Sequence, residues 1–148
     1  MNSNLLTYRF VVADNSFIVR SGLVAVLRHI PGLAATVFDV KTQESLRNYV
    51  VMHHTDVVIV NPMFDGLFDV KAFKAEMKLD DTRFIALSTA ILDQNVLSGY
   101  DEHFLLYDNP DDIFEKIKKV LMSEKQDEPN TTESLSNRER EIIVCVVK

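Results

Sequence analysis

Asp56-Val57-Val58-Ile59-Val60-Asn61 is the stretch that decides the fold. Four consecutive apolar residues, every one β-branched, leave no polar face. A strand with one wet face alternates, so unbroken apolarity points to a strand covered on both sides, as in a parallel sheet. The run passes into the turn-prone Pro62-Met63-Phe64-Asp65-Gly66. Upstream, Arg9-Phe10-Val11-Val12-Ala13-Asp14 has the same character and closes on the polar pair Asp14-Asn15. Between these two strands, Phe17, Val19, Leu23, Val24, Ala25 and Leu27 predict a helix over Ser16 to His29, with Asn15 or Ser16 as N-cap. Pro31-Gly32 stops it. Leu33 to Phe38 reads as a strand, and Thr42 as the cap of a helix carrying Leu46, Tyr49, Val50 and His53.

The alternation continues downstream. A helix is expected from about Phe68 to Met77, a strand from Arg83 to Ser88, and a short, weakly marked helix around Ile91 to Ser98. His103 to Leu106 reads as a fifth strand. Asn109-Pro110 is a strong helix start, a side-chain cap followed by proline at the first helical position. Ile113, Ile117, Val120 and Leu121 then form one apolar stripe, with Lys116, Lys118 and Lys119 on the wet side. Five strand-helix units joined by right-handed crossovers imply an α/β fold, a five-stranded, doubly wound parallel sheet with helices on both faces. Such sheets bind their ligands beyond the C-terminal strand ends. Those ends carry Asp14, Asn61, Ser88 and Tyr107.

Composition narrows the class. The 148 residues hold 16 Lys plus Arg against 22 Asp plus Glu, a net charge of -6 that excludes a uniformly basic nucleic-acid-coating protein. One cysteine excludes a disulfide framework and a Cys-rich zinc module. The longest apolar runs, such as Ile142 to Val147, fall far below the ~18 residues of a membrane helix. Met1 to Tyr8 lacks the basic stretch and apolar core of a signal peptide. A reduced, cytoplasmic protein without membrane contact is expected.

Ser123 to Glu133 is polar, contains a proline and reads as a linker. In Leu135-Ser136-Asn137-Arg138-Glu139-Arg140-Glu141, Ser136 and Glu139 form a capping box ahead of an apolar run. A new helix is expected there, belonging to a separate unit. Charge agrees with two unlike parts. Residues 136–148 carry three cations against Glu139 and Glu141, hence +1, leaving -7 for the rest. Cys145 is expected to be core of that helix.

The sequence Val12-Ala13-Asp14-Asn15, opening a helix with Val19-Arg20-Ser21-Gly22-Leu23, resembles the receiver domain of bacterial response regulators. So does Asp56 to Val60 ahead of its loop. Leu135 to Glu141 resembles the opening of the LuxR/NarL-type helix-turn-helix domain. The resemblance implies a non-enzymatic transcription regulator of a two-component pathway. It divides the chain into a receiver domain at 1–122, a linker at 123–134 and, at 135–148, the first helix of a truncated all-α DNA-binding domain. Promoter DNA would be reached only through the missing remainder of that domain. A homodimer is expected, through the first and last helices or the face around the fourth helix and fifth strand.

By the same resemblance, a receiver holds magnesium with two acids after its first strand and an aspartate ending its third. That aspartate takes the phosphoryl group, helped by a Ser or Thr ending the fourth strand and a Lys ending the fifth. Here Asp14 keeps the first acid, but its neighbour is Asn15. The acceptor position is Asn61, the hydroxyl position Ser88, and the lysine position Tyr107. A carboxamide is not a competent nucleophile for acyl phosphate formation. Deamidation is an unfavourable rescue, because Pro62 lacks the N–H that would attack. With Asp14 the sole remaining carboxylate, magnesium binding is expected to be weak or absent. Losing aspartate and lysine together also avoids an uncompensated cation, whose cost is commonly ~3–5 kcal/mol. A degenerate receiver is expected, with a sensor kinase doubtful, and Tyr107 at the pocket edge as a lock for an active-like arrangement.

Two rival readings stay open. An orthodox phosphotransfer receiver could use a displaced acceptor such as Asp65, although the loop is expected to turn Asp65 away from Asp14. A small-ligand sensor could use the strand-end crevice, but Gly22 and Gly66 are isolated and form no phosphate loop. Blander roles also fit single residues: Asp14 as a cap or turn former, Asn61 before Pro62 as a turn former, Ser88-Thr89 as a cap. His53-His54 makes a poor metal site, since neighbours on a helix diverge. Asp111-Asp112 suits the positive end of the last helix.

Overall fold

The computed structural model describes residues 6–89 and 92–122. Strand β1 (Leu6–Ala13) leads into helix α1 (Phe17–Leu27), β2 (Leu33–Val40) into α2 (Gln43–Met52), and β3 (Val57–Val60) into α3 (Val70–Met77). Then β4 (Arg83–Ser88) leads into α4 (Gln94–Leu97) and β5 (Glu102–Leu105) into α5 (Pro110–Met122). All ladders are parallel, in the order β2-β1-β3-β4-β5. The expected doubly wound sheet is therefore present. The helix-turn-helix segment, 135–148, and the linker at 123–134 lie outside the described residues.

The apolar run of β3 works as its composition requires. Val57 and Ile59 enter one core with Phe10, Val12, Ile85, Leu87 and Phe104, roofed by Leu23 and Leu27 of α1 and Ile113 and Ile117 of α5. Val58 and Val60 enter a second core with Val11, Ala13 and Phe84, roofed by Leu46 and Val50 of α2 and Phe73 of α3. Both faces of the strand are dry, so every side chain must be apolar.

The helix starts follow local chemistry. Ser16, Thr42 and Asp69 are N-caps whose side chains accept backbone N–H groups of the first turns of α1, α2 and α3. Helix α3 begins two residues later than expected because Asp69 caps it and Phe68 turns into the second core, its N–H donating to the Pro62 carbonyl at 2.7 Å. Helix α4 is a single turn without a buried residue, which accounts for its faint periodicity.

β1 has β2 on one side and β3 on the other. The chain reverses its direction of travel across the sheet here, which opens a crevice beyond the C-terminal ends of β1 and β3. Asp14 and Asn61 sit there, one residue past each strand. Two backbone bonds close the strand ends, from Asp14 N–H to Val40 O at 3.2 Å and from Asn61 N–H to Ala13 O at 3.0 Å.

The aromatic cluster Phe64, Phe68, Phe73 and Phe84, with ring centroids 5.0 to 6.2 Å apart along its contacts, supports the wall on which the β3–α3 loop rests. Phe84 is fully buried. Phe84→Ala is expected to lower stability by ~3–5 kcal/mol, the usual cost of a Phe-sized cavity. Urea unfolding followed by circular dichroism measures it, and a loss below about 1 kcal/mol contradicts this packing.

Candidate functional site

Asp14 is only 5% exposed, yet it carries a carboxylate, so its two oxygens need partners. Oδ1 accepts the Ser16 N–H at 2.8 Å, which forms the turn that starts α1. Oδ2 accepts the Asn61 carboxamide Nδ2–H at 3.1 Å, across from β1 to β3. Asn61 in turn uses its Oδ1 to accept the Met63 N–H at 3.0 Å. Donor and acceptor ends of the amide are each matched, which is the arrangement a carboxylate at that position could not reproduce. Asp14 and Asn61 are thus brought together, and Asn15 lies exposed beside them.

Arg20 completes this end of the molecule, and reasoning from sequence gave it no role. It is buried on the inner face of α1 together with Leu23 and Leu27. Its Nη1 donates to the carbonyls of Asp14 at 2.8 Å and Asn15 at 3.0 Å, and its Nε pairs with Asp39 Oδ2 at 2.7 Å. The signal was available: Arg20 stands three and seven residues before Leu23 and Leu27, on the stripe that faces the core.

Ser88, at the end of β4, is buried, and its hydroxyl shares a 3.2 Å hydrogen bond with His103 Nε2 on β5. Parallel register brings this about, with Ala86 beside His103 and Ser88 beside Leu105. Burial, with the Lys116 ammonium nearby, holds the His103 imidazole below its usual range, against the opposing pull of Asp108 and Glu102. Lys116 also donates to the His103 carbonyl at 2.9 Å. Tyr107 stands apart from this group. Its residue is 70% exposed on the turn after β5, and no hydrogen bond ties it to Asp14, Asn61 or Ser88 among the described residues.

Asp65 faces elsewhere, as its loop position led us to expect. Its Oδ2 accepts the Gln43 N–H at 2.8 Å, and its carbonyl accepts Gln43 Nε2–H at 2.8 Å, so it serves the first turn of α2. Among the described residues no hydrogen bond joins Asp65 to the Asp14 side chain. Among the described residues no group of three His, Cys, Asp or Glu side chains is placed to hold a metal. Magnesium favours an octahedral oxygen shell with carboxylate ligands. One carboxylate with both oxygens already accepting hydrogen bonds does not fit that requirement.

No family model matches the sequence, and no curated protein matches it. Solved structures do match. A response regulator from Thermotoga maritima superposes with a TM-score of 0.65 at 20% identity, covering 80% of this chain and 100% of that one. The BeF3-activated receiver domain of Klebsiella pneumoniae RstA gives a TM-score of 0.65 at 14% identity, over 78% and 99%. A receiver-modulated diguanylate cyclase from Pelobacter carbinolicus gives 0.63 at 19% identity, over 77% and 92%. The chain has the flavodoxin-like receiver fold. Among the described residues no helix is long and apolar enough to cross a membrane.

Two outcomes follow from this geometry. Asn61→Asp sets two carboxylates ~3 Å apart with no cation between them, which is expected to cost ~1–3 kcal/mol at pH 7 in magnesium-free buffer. Thermal melts check it: added magnesium should restore the variant and leave the wild type unmoved. Second, folding favours neutral His103, so the unfolded chain binds the extra proton as pH falls below about 6.5. Stability is then expected to decline below that pH, and His103→Gln to flatten the decline in urea titrations between about pH 7 and 5.

Proposed function

We propose that this chain is a response-regulator module whose receiver domain works without aspartyl phosphorylation. It regulates a C-terminal LuxR-type DNA-binding domain, which begins at 135–148, through dimerisation or contacts with a protein partner. The observation that carries the reading is the Asn61 amide donating to Asp14 where the resemblance places the reactive carboxylate. A phosphoryl acceptor needs a free carboxylate oxygen, and Asn61 has none. Supporting it, Tyr107 takes the place of the lysine, and Asp65 is held at α2. Promoter DNA would meet the protein through the C-terminal domain, and the input would be association. Exposed Phe17, Ile18 and Tyr107 give the strand-end face apolar material for contacts.

Incubation with acetyl phosphate and magnesium, read by intact mass, tests this. The wild type is expected to gain no phosphoryl group. Asn61→Asp combined with Tyr107→Lys is expected to gain one, since the pair restores nucleophile and counter-cation. A wild-type adduct abolished by Asp65→Asn would establish the displaced-acceptor reading in its place.

A further inference from the structure

The sheet has two edges, and they differ. At one, β5 is four residues long, starts at Glu102, and has its His103 carbonyl taken by the Lys116 ammonium. Shortness and charge are the usual means by which a sheet edge is kept from pairing with another chain. At the other, β2 runs for eight residues in unbroken register with β1, without a bulge. Its stretch Leu33-Ala34-Ala35-Thr36-Val37-Phe38 contains no charged residue and no proline. Among the described residues no strand lies beyond it.

The surface beside this edge mixes apolar and charged side chains. Phe38 is 47% exposed and lies flat on Tyr49 of α2, ring centroids 4.5 Å apart, and Tyr49 meets His53 at 4.5 Å. With Met52, 75% exposed, they line the apolar side of a cavity of about 550 Å³, whose polar side carries Asp39, Lys41 and Asn48. Unpaired backbone groups next to an open groove are what strand addition uses, the backbone giving affinity and the groove taking side chains.

We propose that β2 is the association surface for a second copy of this chain, the two β2 strands pairing antiparallel about a two-fold axis into one ten-stranded sheet. Charge suits a second copy. The chain carries -6 overall, yet residues 33–38 are neutral, so two copies meet there without opposing like charges. Shape agrees. Residues opposite one another in an antiparallel pair share a face. With Thr36 at the axis, Ala34 of one copy lies opposite Phe38 of the other, small against large, and Ala35 lies opposite Val37. The interface is isologous and closes at two copies. Its geometry is independent of the phosphate site, while its regulatory role rests on the association reading above.

Sedimentation velocity on the full chain from about 1 to 100 µM, with backbone amide exchange on the same samples, tests the proposal. The expected result is a concentration-dependent dimer in which amides of residues 33–40 gain protection as dimer forms. Thr36→Lys places two cations at the axis and is expected to weaken the dimer at least about tenfold, with Thr36→Ala close to wild type. Phe38→Lys repeats the test if the melting profile of Thr36→Lys departs from wild type. A dimer indifferent to both lysines overturns this surface and leaves the association reading standing. A monomer at every concentration overturns both. A monomer with residues 33–40 already protected shows that the chain covers its own edge, which also overturns the proposal.

Discussion

A buried carboxylate held only by neutral donors organises the C-terminal strand ends of this molecule. Asp14 lies where strand order reverses, and its charge is compensated by one backbone N–H and one carboxamide. Each donor belongs to a different loop, Ser16 to the β1–α1 turn and Asn61 to the β3–α3 turn. One side chain therefore sets the relative position of both. Hydrogen bonds to an ionised acceptor are the stronger kind, and low local dielectric strengthens them further. In a crevice with three carboxylates, mutual repulsion would leave the loops unsettled until a cation arrived. Here the donors that stabilise the carboxylate belong to the chain itself.

The fold was legible because a doubly wound sheet writes its central strands as continuous apolar runs. Val57 to Val60 could not belong to a half-wet sheet, and the caps Ser16 and Thr42 stand where local hydrogen bonding alone puts them. Helix α4 was harder, since a turn that buries nothing imposes no periodicity. At the site, Asp14 and Asn61 could be found from their places just beyond strands. Arg20 was passed over because a charged helical residue is ordinarily wet. His103 depended on the β4–β5 register, a long-range property that no local pattern carries. Tyr107 occupies the expected place in the chain, but the tight turn after β5 determines where its ring goes. Asp108 Oδ2 accepts the Leu105 N–H at 3.0 Å, which closes that turn and leaves Tyr107 in solvent.

The β2 edge and the Asp14 crevice are mechanically close. Val40, the last residue of β2, accepts the Asp14 N–H. Asp39, its neighbour, pairs with Arg20, and Arg20 holds the carbonyls of Asp14 and Asn15. From the edge strand to Asn61 the path is Asp39, Arg20, Asp14, Asn61, with every step a hydrogen bond of 3.1 Å or less. Adjacency of this kind becomes coupling only if an element has two arrangements that both sites bias. The β1–α1 turn is the natural element, since Arg20 donates to the carbonyls of both Asp14 and Asn15. Pairing at β2 that tightens Asp39 on Arg20 would favour the turn as it stands. By reciprocity, a partner that favours this turn would strengthen pairing at β2 to the same extent. The receiver fold thus keeps its strand ends joined to its outer surface by hydrogen bonds alone.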